Sequence, residues 1–176
     1  KRRVGSKREF SGLDRAVLFG SFLKGKLLKL RNKSIHFEKY DRTLCLIKDE
    51  LIDFIKRTQK DSWKKLQDIY QEDTENKVLN RISSEISSRG IIDVLRNRVV
   101  DRGVYLDLCY FEPKSDLNPD HLNLFKSNQF SLVRQFHYST KNENSIDMGL
   151  FLNGIPIVTM ELKNQLTGQN YKHSEN

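Results

Sequence analysis

The chain has 176 residues, which is enough for one domain with a hydrophobic core and too few for two full domains. Hydrophobic residues make up 37% and charged residues 31%, but ten Phe, six Tyr and one Trp exclude a wholly disordered chain. No run approaches the roughly 18 apolar residues of a membrane span, and no signal segment with a cleavage site is present. Two cysteines exclude a disulfide framework and a four-thiolate zinc site, so we expect a soluble protein of a reducing cytoplasm.

The positive charge is concentrated at one end of the chain. Lys and Arg number 31 against 23 Asp and Glu, a net charge of +8, and residues 1–33 hold 11 basic and 2 acidic residues. The remaining residues therefore carry a net charge of −1. Such a segment either attracts polyanions such as DNA or forms a solvated surface. Within this basic N-terminal segment, residues 1–35, apolar residues from Leu13 to Phe22 favour a helix, although three glycines oppose it.

Residues 36–103 are predicted to be mainly helical, because apolar residues recur there at helical spacing. Gly90 is expected to separate the last two helices. The apolar stripes, which we expect to pack in the core, are Leu51–Ile55, Trp63–Tyr70, Val78–Ile86 and Ile91–Leu95. Cys45 and Cys109 lie among apolar neighbours, so we expect both thiols to be buried.

Residues 104–176 are predicted to be rich in β-strands. Asn118 and Pro119 have the pattern of an N-cap and a first helical residue, and predict a short helix through Leu124. Asn153-Gly154 predicts a hairpin turn. The predicted strands are Val104–Phe111, Gln129–Tyr138, Ser145–Leu152 and Ile155–Lys163. We therefore expect an α/β or α+β domain with one mixed, mostly antiparallel central sheet flanked by helices.

The sequence Glu161-Leu162-Lys163 is the best candidate for chemistry. Residues two apart in a strand point to the same face, so the carboxylate of Glu161 and the ammonium of Lys163 would project together. A carboxylate can hold a hard cation such as Mg²⁺, and the lysine can orient or deprotonate a water. Glu-x-Lys occurs three times in the chain, but only here does an acid, Asp147, lie on a predicted neighbouring strand.

The register of the hairpin decides whether Asp147 meets Glu161. A two-residue loop pairs Leu152 with Ile155 and puts the two acids on opposite faces. A three-residue loop or a one-residue bulge pairs Leu152 with Pro156 and sets Asp147 opposite Glu161. We predict the second register, because it separates apolar from polar positions more cleanly. Gly149 would leave room on the Asp147 face for a backbone or a phosphate. The alternative interpretation is that the trio Asp147, Glu161 and Lys163 is only a charged surface cluster at the end of an ordinary hairpin.

The arrangement Asp147…Glu161-x-Lys163 resembles the PD-(D/E)xK nucleases. The surrounding segments resemble more specifically the N-terminal nuclease domain of the R subunit of type I restriction–modification enzymes, over about residues 36–170. These segments are Tyr40–Ile47, Asp53–Gln59, Arg89–Arg96, Leu132–Gln135, Asn142–Asp147, Phe151–Pro156, Glu161–Asn164 and Leu166–Gln169.

The resemblance implies a restriction-endonuclease-like core that hydrolyses double-stranded DNA with Mg²⁺. It places the metal ligands at Asp147 and Glu161 and the catalytic lysine at Lys163. It also implies methylase and specificity subunits as partners, no membrane, and ATP only through motor domains absent from this chain.

The chain departs from the family pattern in three respects. Residues 1–35 match poorly the family's N-terminal helix and its glutamate, and Glu9, the only glutamate before Glu38, is not assigned that role. The family's Gln-x-x-x-Tyr motif is not matched by Gln169 and Tyr171, which predicts a C-terminally truncated nuclease core. The chain also lacks the phosphate-binding loop GxxxxGK[ST] of the motor domains.

Two other functions are compatible with the same residues. One is a DNA repair or junction-resolving nuclease of the same fold. The other is a catalytically silent DNA-binding or assembly module that uses the basic N-terminal segment.

Overall fold

A computed structural model describes residues 34–35, 39–114 and 118–160 of the chain. Glu161, Lys163 and the predicted helix between Leu13 and Phe22 lie outside the described residues. The helices within the described part are α1 (Lys48–Thr58), α2 (Lys60–Tyr70), α3 (Thr74–Arg89), α4 (Ile91–Asn97) and α5 (Pro119–Ser127). The strands are β1 (Ser34–Ile35), β2 (Val99–Asp101), β3 (Val104–Leu106), β4 (Phe130–His137), β5 (Ser145–Leu152) and β6 (Ile155–Met160).

Helices α1 to α4 confirm the four predicted apolar stripes. Each helix turns its apolar face inward, and the buried residues form one cluster that includes Phe54, Leu66 and Ile82. The stripes are narrower than the sequence pattern indicates, because Ile69 and Ile92 are exposed. Gly90, with a φ of 86°, separates α3 from α4 as expected. No helix among the described residues is both long and apolar enough to cross a membrane.

A short hairpin follows α4 where a single long strand is predicted. The strand predicted over Val104–Phe111 ends at Leu106, and it pairs with β2, which the sequence pattern did not predict. Arg102 and Gly103 form its turn with φ values of 52° and 80°, the left-handed backbone of a two-residue hairpin loop. The Tyr70 hydroxyl on α2 donates to the buried Asp101 carboxylate at 2.8 Å and thereby fastens this hairpin to the helices.

The main sheet has the strand order β1-β4-β5-β6. Strand β1 runs parallel to β4, whereas β4, β5 and β6 form an antiparallel meander. Helix α5 precedes the meander, and the Asn118 side chain caps it by accepting from the Asp120 amide at 2.9 Å. The fold is therefore α+β with a mixed main sheet, as predicted. The prediction of a single sheet is wrong, because β2 and β3 form a separate two-stranded sheet.

Apolar side chains cover both faces of the meander. One cluster contains Tyr40, Val133, Phe136 and Phe151. The other contains Phe130, Leu150, Leu152 and Cys109. Cys109 is buried as predicted, but Cys45 is exposed, which contradicts the prediction made from its apolar neighbours. Cys45 lies in the turn between Asp41 and Leu46 with a φ of 57°, and that turn points its side chain outward although Leu46 and Ile47 are buried.

The turn of the β5–β6 hairpin is buried. Asn153 is fully buried, and its side-chain amide donates to the Leu108 carbonyl at 2.9 Å and to Asn128 Oδ1 at 3.0 Å. Its side-chain oxygen accepts from the Gln129 amide at 2.7 Å. The backbone amide of Ile47 donates to the Gly154 carbonyl at 2.9 Å. These bonds join the meander to the segment before α5 and to the start of α1.

Candidate functional site

Asp147, the described member of the predicted trio, lies in the middle strand of the meander and is half-buried. The pairing of its neighbours holds it from both sides. Met148 pairs with Arg134 on β4 and with Met160 on β6. A carboxylate in this position has a backbone fixed by two strands, which suits a group that must hold a substrate or an ion.

The predicted register of β5 and β6 is confirmed in the half of the hairpin nearest Asp147. Met148 pairs with Met160, and Gly149 pairs with Thr159. The prediction is wrong at the turn, where Leu152 pairs with Ile155 and Phe151 pairs with Pro156.

A register shift between Leu150 and Phe151 separates the two halves. The chain therefore uses both a two-residue Asn-Gly loop and a bulge. Asn153 and Gly154 adopt φ values of 50° and 82°, as such a loop requires, and the bulge then restores the register that the apolar pattern favours.

Strand β4 is kinked directly opposite Asp147. Gln135 has a φ of 49°, and it falls between the paired positions Arg134/Met148 and Phe136/Ile146. Arg134 and Gln135 are consecutive and both exposed, although strict alternation would bury one of them. The Gln135 side-chain oxygen accepts from the Ser145 hydroxyl at 3.1 Å, a bond that ties the two strands together beside the candidate site.

The space beside Gly149 is occupied by aromatic rings. A Cβ on Gly149 would lie 3.0 Å from the Phe151 ring and 3.3 Å from the Phe136 ring. The expectation that Gly149 leaves room for a backbone or a phosphate is therefore wrong. The rings of Tyr40, Phe136 and Phe151 pack edge to face there, with centroids 4.6 to 5.6 Å apart. Gly149 therefore serves ring packing.

The end of the sheet near Asp147 carries a cluster of charged side chains. Arg42 donates to both carboxylate oxygens of Glu143 at 3.0 and 3.1 Å, and so fastens the β4–β5 connection to the turn before α1. His137 Nδ1 lies 3.6 Å from the same carboxylate. The hydrogen bond and the charge of Arg42 lower the pKa of Glu143 below its ordinary value.

Glu50 on α1 is an acidic residue near the sheet that sequence reasoning missed. Both of its carboxylate oxygens lie 2.7 Å from the hydroxyl of Ser131, which is fully buried on β4. The bond fastens α1 to the sheet. Ser131 pairs with Phe151, four positions along β5 from Asp147, which is about 13 Å in a strand. Glu50 is thus too far from Asp147 to share a metal ion. The sequence could have indicated this contact only if the alternation of inward and outward residues along β4 had placed Ser131 on the inward face.

Among the residues that the structure describes, no three His, Cys, Asp or Glu side chains are grouped so that they could hold a metal ion. Of the predicted pair of metal ligands, the described part of the chain contains Asp147 alone.

Comparison with known protein families identifies the family to which the chain belongs. The model of a protein family described as the type I restriction enzyme R protein N terminus matches residues 30–176. The chain belongs to this family. The match covers the meander and extends through Glu161 and Lys163, so the three residues of the predicted trio all lie inside the matched part of this R-protein N-terminal region. No curated protein and no solved structure matches the chain.

Proposed function

We propose that this R-protein N-terminal region is the endonuclease domain of a type I restriction–modification enzyme, and that it hydrolyses phosphodiester bonds of double-stranded DNA. The observation that carries the proposal is the pairing of Met148 with Met160. One further pair in the same register would set Asp147 opposite Glu161. Lys163, two residues on, would then share the strand face of Glu161.

In the proposed site, the carboxylates of Asp147 and Glu161 would hold Mg²⁺. The donor set fits this ion, because Mg²⁺ prefers carboxylate oxygens and is usually bound by one or two of them together with water and phosphate. The half-buried position of Asp147 on a doubly paired strand supplies one such oxygen donor with a fixed backbone. When bound, the ion would activate water and neutralise charge on the scissile phosphate.

Lys163 acts on the attacking water in the proposed reaction. An ammonium group beside two carboxylates can orient a water, because it donates up to three hydrogen bonds and accepts none. Its charge also stabilises the negative charge that develops on the phosphate.

The proposed enzyme works as part of a larger assembly in the cytoplasm. Methylase and specificity subunits would select the DNA, while this region would contact its phosphate backbone without reading bases. ATP would act through motor domains outside these 176 residues. The proposed role as an R-subunit nuclease domain also implies that DNA cleavage is coupled to that ATP-driven motor.

The test is DNA cleavage by the full R subunit in its restriction complex, with Mg²⁺ and ATP. We expect Asp147→Asn to lower the cleavage rate at least about 100-fold, because a ligand of the proposed ion is lost. Asp68→Ala, which removes an exposed carboxylate from α2, is the matched control and should cleave like the wild type. ATP hydrolysis should be retained by both variants.

Calorimetric titration with Mg²⁺ is the second arm. One ion bound by the wild type and lost in both Asp147→Ala and Glu161→Ala would support a shared two-carboxylate site. Full cleavage by Asp147→Asn would contradict the proposal. DNA binding without cleavage by the wild-type complex would favour the silent binding module instead.

A further inference from the structure

Arg42 and His137 approach the carboxylate of Glu143 from two different elements. The two terminal nitrogens of Arg42 donate to Oε1 and Oε2 of Glu143 at 3.0 and 3.1 Å, and His137 Nδ1 lies 3.6 Å from Oε2. Arg42 lies in the turn before α1, His137 ends β4, and Glu143 belongs to the connection from β4 to β5. A guanidinium binds carboxylate and phosphate with the same two-pronged geometry. The carboxylate of Glu143 therefore stands where a phosphate would fit.

The backbone that carries Arg42 and His137 is fixed without any help from Glu143. Asp41 Oδ1 accepts from the Leu44 amide at 3.0 Å, and the backbones of Asp41 and Leu46 exchange hydrogen bonds of 2.9 and 3.3 Å. His137 is held by its strand pairing in the main sheet. The Arg42 side chain is only 32% exposed. The two groups thus form one side of a site that the fold has already arranged.

Glu143 is the outer partner in this cluster. Its side chain is 79% exposed, which is more than that of any other acid in the ion pairs of the described residues. The side-chain hydrogen bonds within the connection are local, from the Lys141 amide to Ser139 and from the Asn144 amide to Asn142. An ion pair this exposed shifts an equilibrium by about fivefold at most. A stronger or better-placed anion can displace Glu143 at little cost.

We infer that Arg42 and His137 bind one phosphate of the DNA backbone, and that Glu143 occupies the position of this phosphate when no DNA is bound. A phosphodiester carries one negative charge, as the carboxylate does, so the exchange leaves Arg42 paired. The contact would position the DNA without reading its sequence.

This inference rests on the proposed function and adds to it a contact with the DNA outside the proposed metal ligands. His137 pairs with Ser145, the first residue of β5, and Asp147 follows two residues later on that strand. The phosphate site therefore lies at the end of the main sheet from which the strand of Asp147 starts.

The test measures binding of a short DNA duplex to the full R subunit by fluorescence anisotropy, with EDTA present so that no cleavage occurs. We expect Glu143→Gln to bind about three- to fivefold more tightly than the wild type, because the competing carboxylate is gone. Arg42→Ala should bind about tenfold more weakly, since a charge-assisted contact is lost, and His137→Ala about threefold more weakly. A gain in affinity cannot result from misfolding, so Glu143→Gln tests the inference even if Arg42→Ala folds poorly.

A variant that combines Arg42→Ala with Glu143→Gln separates competition at Arg42 from a general effect of charge. Competition predicts that the gain from Glu143→Gln disappears when Arg42 is absent, whereas a general effect would leave the gain in place. Asp68→Asn is the matched control, because it removes one exposed negative charge from α2, and it should bind like the wild type.

The inference would be overturned by a gain that persists in the combined variant, or by an equal gain in Asp68→Asn. Wild-type affinity in any of the three single variants, or no DNA binding by the wild type, would also overturn it. Cleavage by Asp147→Asn in the restriction complex decides the proposed function separately, so the failure of one is distinguishable from the failure of the other.

Discussion

Gly154 lies directly against the backbone of Ile47. A Cβ on Gly154 would lie 2.4 Å from the Ile47 carbonyl oxygen and 2.9 Å from the Leu51 amide nitrogen. The Ile47 amide in turn donates to the Gly154 carbonyl at 2.9 Å. The hairpin turn that sets the register near Asp147 is therefore seated on the first turn of α1, and only glycine fits there.

Gly154→Ala should be strongly destabilising. The added methyl group must displace backbone, and the φ of 82° is unfavourable for any residue with a Cβ. We expect a loss of about 3–5 kcal/mol in the free energy of unfolding, measured by urea denaturation.

Gly103→Ala is the control for Gly154→Ala. Its φ of 80° is nearly the same, but no atom lies within 4 Å of the added Cβ. It should cost only the backbone strain, about 1 kcal/mol. Equal losses in the two variants would contradict the argument that close approach to Ile47 dominates at Gly154.

The hairpin shows what the sequence can and cannot predict. Asn153-Gly154 predicts the turn because the signal is local and depends on the backbone preferences of two residues. The pairing of Met148 with Met160 could be predicted because one face of the strand must be apolar. The combination of a two-residue loop with a bulge could not be predicted, because each of the two registers satisfies only part of the apolar pattern. The burial of the turn depends on α1, whose Leu51 is 103 residues before Gly154 in the chain.

The other features that the sequence did not predict have similar causes. Strand β2 was not predicted because Val99 and Val100 directly follow a helix, and their partner strand starts after only two turn residues. The exposure of Cys45 follows from a turn conformation that its apolar neighbours conceal. The Glu50–Ser131 bond joins residues that are 81 apart in the chain, and pattern analysis does not detect such contacts.

The buried side chain of Asn153 should be essential for stability. Replacement by Ala leaves the Leu108 carbonyl and the Gln129 amide without their partner in a buried region. An unsatisfied buried group costs about 1–3 kcal/mol, so we expect Asn153→Ala to lose about 2–4 kcal/mol in urea denaturation. Asn144→Ala, at an exposed position between β4 and β5, should change the free energy of unfolding by less than about 0.5 kcal/mol. Similar losses in both variants would show that the network contributes little.

The two cysteines should differ in reactivity. Burial raises the pKa of the Cys109 thiol to about 12, so it is protonated and inaccessible in the folded chain. Cys45 is exposed. We expect a thiol reagent at pH 8 to modify one thiol in the native chain and two after denaturation. The native reaction should disappear in Cys45→Ser and persist in Cys109→Ser. Rapid native modification of Cys109 would contradict the packing of the sheet described above.

The Arg42–Glu143 ion pair should make the anchoring of the β4–β5 connection dependent on pH. The hydrogen bond and the charge of Arg42 lower the pKa of Glu143, so the folded form of this carboxyl group loses its proton more readily than the unfolded form. The stabilisation is complete above the ordinary pKa of 4.5 and is lost as the pH falls through the lowered value. We expect NMR titration of the Glu143 carboxyl carbon to show a midpoint below 4.5.

Arg42→Ala should raise that midpoint towards the ordinary value, because the hydrogen bonds and the charge of the main partner of the carboxylate are then gone. Arg57→Ala is the matched control, since Arg57 pairs with Asp53 on α1 and makes no described contact with Glu143. It should leave the Glu143 midpoint where the wild type has it. The same midpoint in the wild type and in Arg42→Ala would show that the pair does not persist in solution. The connection beside Asp147 would then be held by the pairing of β4 with β5 and not by charge.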